Sequence, residues 1–238
     1  MEDVSETMKM TSGSAQDVIS KSKKATLVDW HTEGLARFLK VVVAQQQASG
    51  ASKDAEKKLS SAESKMVKHR KAPIDEITER IPFPKIQHNL AEVEEAAEEV
   101  KLSEEVMRQL RSCVYNIAGT YKDVPFHNFE HASHVVMCVM KLLGSASNHR
   151  DNGLDDPLAR FSLVLAAIVH HAAHEGVPNA QLNKEADDMA LAYNFKSVAE
   201  QNSLDIAWGL LVREDYKDLR RTIYTRKEDL ERWSTRYA

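Results

Sequence analysis

The chain has 238 residues, with 32 Lys and Arg against 36 Asp and Glu and a formal net charge of -4. That length suits one domain of ordinary size plus a tail, and the mild acidity leaves no chain-wide attraction to nucleic acid or to an anionic membrane surface. Only 8 Gly and 6 Pro accompany 42% hydrophobic and 29% charged residues, which argues against turn-rich sandwiches and barrels and for an all-α protein of amphipathic helices.

The N-terminal segment MEDVSETMKMTSGS lacks the apolar core of a secretory signal. Residues 1–26 are polar, with Lys21, Lys23 and Lys24 near their end, and are expected to form a disordered tail because they bury too little apolar surface to offset ordering entropy. From Leu27 to Gln47, Trp30, Leu35, Phe38, Leu39 and Val42 recur at helical spacing. This predicts an amphipathic helix that needs a partner surface, as a connector or as a homodimer contact. Residues 48–71 carry few apolar anchors, and Pro73, Pro82 and Pro84 follow, so a boundary is expected between a connector at 27–72 and a domain at 73–238.

Helix-start signals then recur. Ser103 precedes Glu104 and Glu105, and Val106, Leu110, Cys113, Val114 and Ile117 form one stripe. Asp156 before Pro157 reads as an N-cap with proline at the first helical position, opening the apolar segment LARFSLVLAAIV, which should be central. Ser197 with Glu200, and Thr225 with Glu228, read as capping boxes. The longest mostly apolar run, Phe161 to Val169, falls well short of the ~20 residues a membrane span needs. Cys113 and Cys138 sit in apolar helical patterns as reduced core thiols, so the chain reads as cytoplasmic.

Seven of the ten histidines lie between His127 and His174. In FHNFEHASHV, His127 and His131 are four apart, so a helix starting there would direct both into one pocket. In HHAAHEG, His170 and His174 are four apart with His171 between, at the end of the buried helix, which Gly176 and Pro178 should stop. Two such groups on separate helices suit helices packed around a metal ion; imidazoles favour zinc and other borderline cations, carboxylates magnesium or manganese. His134 and His149 are read as structural.

The ordered motifs FHNFEHASHV, HxxxHxGVPN and LAxxYNxxSVxE resemble the class I 3',5'-cyclic nucleotide phosphodiesterases. The resemblance covers roughly Tyr115 to Leu211. It implies a helical HD-type domain with two divalent cations, usually zinc with magnesium or manganese, whose bridging hydroxide attacks the cyclic phosphate of cAMP or cGMP. On this resemblance His127 is the general acid, His131 and His170 are metal histidines, and His174 and Glu200 serve the second metal's water shell. His171 stands where the family has the bridging aspartate and Ala173 where a second aspartate follows, so His171 is expected to ligate a single zinc and the second site to be weakened. The chain ends at Ala238, before the later helix on which the family carries a further metal aspartate and the base-holding glutamine. The resemblance therefore implies the N-terminal portion of such a domain, and the second reading is a phosphodiesterase-like association module without catalysis.

Overall fold

A computed structural model describes residues 3–50, 59–64, 90–146, 154–185 and 187–237. Among these residues the regular structure is helical throughout, as the composition implied. The helices are α1 (Asp3–Ala48), α2 (Leu90–Glu98), α3 (Glu104–Thr120), α4 (Phe129–Ala146), α5 (Pro157–Val169), α6 (Asn179–Glu185), α7 (Asp187–Ala192), α8 (Val198–Leu211), α9 (Lys217–Ile223) and α10 (Lys227–Tyr237). None of the described helices is long and apolar enough to cross a membrane.

Local chemistry sets two of the helix starts as expected. Ser103 Oγ accepts from Val106 N at 3.2 Å to open α3, beside Glu104 and Glu105. The Asp156 carboxylate accepts from Leu158 N at 3.2 Å, with Pro157 in the first turn of α5. Two other starts differ. Ser197 has φ 40 and makes no side-chain cap, and α10 opens at Lys227, with Arg226 paired to Asp229 at 3.0 Å instead of a box built on Thr225. A left-handed residue at the helix entrance turns its hydroxyl away from the first-turn N–H groups that a cap must reach.

Helix α5 is buried on nearly every side and packs against α1 and α4. Helix α1 does not stand apart as a connector. Val28, Leu35, Leu39 and Val42 share one core cluster with Ile117, Val136, Phe161 and Val164, so the stripe assigned to a connector or dimer contact finds its partner surface within the chain. Trp30, expected in that stripe, is 38% exposed; His31 and Thr32 are buried in its place. The same helix runs back through most of the segment expected to be disordered, since residues 3–26 contain no proline and extend a helix already nucleated by packing. Pro73, Pro82 and Pro84 lie outside the described residues. Cys113 is buried, and burial pushes its thiol up to about 12. Cys138, expected in the core, is exposed, because the inward stripe of α4 runs through Ala132, Val136 and Leu143 instead.

Two ionisable groups are held inside this framework. Arg160 on α5 is buried, pairing with Glu94 at 2.9 Å and donating to Leu154 O and Leu143 O. His31 on α1 meets Ser133 Oγ of α4 at 2.8 Å, packs edge-on against Phe129, and is held down to about 4 by burial.

Two measurements test this arrangement. Leu39→Ala should cost about 3 kcal/mol of unfolding free energy in urea titration, as expected for a fully buried leucine and not for a surface connector. A histidine kept neutral in the fold but titrating near 6.5 when unfolded contributes stability that is complete above pH 6.5 and is lost as the pH falls toward 4. Denaturant curves of His31→Gln should therefore lose about 3 kcal/mol less than the parent chain across that window.

Candidate metal and catalytic site

Two chain segments supply the site. The first is the bend at 125–128 leading into α4; the second is the turn that follows α5. Asn128 shapes the first: its Oδ1 accepts from His131 N at 3.0 Å and its Nδ2 donates to Val124 O at 3.0 Å. His131 thus lies in the first turn of α4, whereas His127 lies in the preceding bend and not on the same helix. The two rings still approach, with centroids 6.3 Å apart and planes perpendicular.

The second segment leaves the helix earlier than the glycine and proline signals implied. Helix α5 ends at Val169, and His170, His171 and Ala172 turn immediately. Ala173 takes φ 57 and Gly176 φ 80. At Gly176 a side chain would meet Val124 Cγ1 at 3.2 Å, so glycine permits both the left-handed backbone and the close approach of the two segments. Tyr121 Oη donates to Ile168 O at 2.6 Å, and Ser203 Oγ on α8 donates to Ala172 O at 2.7 Å. Lys122 pairs with Glu175 across the same seam.

These restraints bring His127, His131, His170, His171 and His174 together. Ring centroids are 5.8 Å apart for His131–His170, 5.5 Å for His131–His171, 3.9 Å for His170–His171, 4.2 Å for His127–His171 and 4.0 Å for His127–His174. Burial, with mutual repulsion among the rings, lowers the pKa of His131, His170 and His174, and takes His171 to about 3. These imidazoles are therefore neutral at physiological pH, the state in which a ring nitrogen binds metal. His134 is exposed, in keeping with its structural reading, and His149 lies outside the described residues.

Two sets of three donor atoms lie within 4.8 Å of one another: His131, His170 and His171, and His127, His171 and His174. Buried Nδ1 atoms of His127 and His171 have no hydrogen-bond partner among the described residues. Orphaned imidazole nitrogens in an all-nitrogen set fit a borderline cation such as zinc; with no carboxylate oxygen in either set, they do not fit a hard, oxygen-preferring second cation.

Glu200 is exposed and its Oε2 accepts from Asn179 Nδ2 at 2.9 Å, while Asn179 Oδ1 accepts from Ala199 N at 2.9 Å. Asn179 thus does the capping that sequence pattern assigned to Ser197, and Glu200 is tied to it. Its charge reaches His174, which it pulls upward against burial. Tyr121, Asn179 and Ser203 escaped the sequence reading because each acts across the fold on a backbone group, a pairing that leaves no local motif.

With this geometry in view, residues 126–233 match the family model described as 3'5'-cyclic nucleotide phosphodiesterase. Among curated relatives, a 3',5'-cyclic-AMP phosphodiesterase (isoform F) of Drosophila melanogaster is 36% identical over 90 residues, covering 38% of this chain and 13% of that protein. A cGMP-specific 3',5'-cGMP phosphodiesterase 3 of Dictyostelium discoideum is 31% identical over 96 residues, 40% of this chain and 20% of its own length. The mouse 3',5'-cyclic-AMP phosphodiesterase 4C is 31% identical over 119 residues, 50% of this chain and 17% of its own length. The matches therefore cover a fifth or less of these relatives. Over residues 126–233 the chain is therefore similar to part of a 3'5'-cyclic nucleotide phosphodiesterase domain.

Tyr121→Phe tests the seam that joins the two segments. Removing the hydroxyl leaves the buried Ile168 carbonyl without that donor, and thermal or urea unfolding should show a loss of about 1–2 kcal/mol.

Proposed function

We propose that this chain carries a cyclic nucleotide phosphodiesterase centre, which hydrolyses a 3',5'-cyclic nucleotide to the 5' monophosphate with His127 as general acid. The observation that carries the reading is the position of His127: it is one ring away from the set His131, His170 and His171 yet outside it. The names of the relatives, cAMP and cGMP phosphodiesterases, support the substrate class.

In this reading His131, His170 and His171 hold a zinc ion, and the magnesium or manganese position is weakened by the loss of carboxylates at His171 and Ala173. A cation held there supplies Lewis acidity toward the phosphoryl oxygens and lowers the pKa of a coordinated water. The chain's own groups do the rest. His127 delivers a proton to the departing 3' oxygen as the P–O3' bond breaks, while the attacking water gives up one proton to solvent and its oxygen becomes bonded to phosphorus. His174 accepts from Gly176 N at Nδ1, so its neutral ring carries its proton on Nε2 and offers a donor to water or phosphate. Glu200, tethered by Asn179, keeps a negative charge beside that ring.

The all-imidazole donor sets favour a second reading, an association module of phosphodiesterase descent without turnover. One variant separates the two. If His127 protonates and does not ligate, His127→Ala should lower the rate of cAMP or cGMP hydrolysis by about 10²–10⁴ while leaving metal content unchanged. Equal loss of metal would remove its role as the acid, and no turnover by the parent chain with zinc, magnesium or manganese would select the association module.

A further inference from the structure

The two histidine sets share His171, and hydrogen bonds on their remaining members decide which of them a metal can use. His170 Nδ1 lies 2.8 Å from Ala167 O. A carbonyl oxygen only accepts, so Nδ1 carries the proton and the lone pair is left on Nε2, the arrangement by which an outer partner orients a metal-bound imidazole. His174 is the reverse case: its Nδ1 accepts from Gly176 N at 2.9 Å, so its lone pair is already engaged and Nε2 carries the proton. A ligand role for His174 would require breaking that bond and turning the Gly176 N–H toward another N–H. Among the described residues no ring hydrogen bond occupies a nitrogen of His131, and its backbone is fixed by Asn128.

We infer that the pocket forms a mononuclear, three-imidazole centre that holds one zinc-like cation per chain on His131, His170 and His171, with His174 and His127 outside its coordination sphere and no place for a second cation. The inference deepens the metal assignment of the proposed function and rests on that assignment, not on turnover. Nitrogens around a tetrahedral zinc stand about 3.4 Å apart, so from separations of up to 4.8 Å the three donors close on an ion by small ring rotations. The same donors reject magnesium, which keeps oxygen ligands and octahedral geometry. A neutral imidazole at His171 has one lone pair and cannot serve two cations, so occupation of one set disables the other.

The test is metal binding by the full chain after chelator treatment, read by equilibrium dialysis with elemental analysis and by the visible absorption of bound cobalt. Zinc or cobalt should bind at one per chain, with a tetrahedral-type cobalt spectrum, and excess magnesium or manganese should not displace either. His131→Ala, His170→Ala and His171→Ala should each weaken cobalt binding beyond the ~10–100-fold typical of losing an outer-shell partner. His174→Ala and His127→Ala should keep both stoichiometry and spectrum. Circular dichroism of the stripped proteins checks the helical fold, and His171→Gln serves as a second variant that preserves bulk at the shared position. Two metals per parent chain, wild-type affinity in both His171→Ala and His171→Gln, or loss of cobalt in His174→Ala would each overturn the inference. Because none of these readouts needs substrate, an inactive chain with one bound cobalt would overturn the hydrolytic reading alone, while an active chain with two metals would overturn the mononuclear centre alone.

Discussion

Helix α4 packs along helix α5, and nearly everything at the site depends on that contact. His131 opens one helix and His170 follows the end of the other; they are 39 positions apart in the chain and 5.8 Å apart as rings. Burial of α5 on nearly all sides holds its end in place, since moving that end would expose Phe161, Val164, Leu165 and Ile168 together. The turn beyond Val169 is then restrained by hydrogen bonds that converge from Tyr121 and Ser203. An imidazole cluster set on a packed helix end in this way is preorganised: burial first, and repulsion from the neighbouring rings second, lower the proton affinity of His171 and keep its ring in the neutral form that metal binding needs.

Helix α1 gives this pair its backing. Its buried stripe lies against α3 and α5, and His31 reaches Ser133, two residues beyond His131 on α4. The hydroxyl of Ser133 also donates to Phe129 O, so the first turn of α4 is held from within and from behind. A helix that looked like a spacer in the sequence is thus part of the platform on which the site rests.

The composition of the two donor sets governs the electrostatics of the pocket. Five imidazole rings meet there and neither donor set contains a carboxylate, so a bound cation would find lone pairs but little negative charge to offset its own. That balance selects for cations that form strong bonds to nitrogen over cations that rely on charged oxygen. His127 and His174 are the two rings in closest contact across the segments, with centroids 4.0 Å apart.

The helical class, the starts at Ser103 and Asp156, the buried character of α5 and the grouping of histidines were legible in the sequence, because each arises from propensity, capping or periodicity within a few residues. His127, His131, His170, His171 and His174 were legible as candidates for the same reason. What they do to one another was not. The bend that takes His127 off the helix, the early end of α5 at Val169, the capping of α8 by Asn179, the tautomers of His170 and His174 and the burial of α1 all follow from contacts between distant segments. Local pattern cannot encode such contacts, since the energy that sets them belongs to surfaces and backbone groups that meet only when the chain is folded.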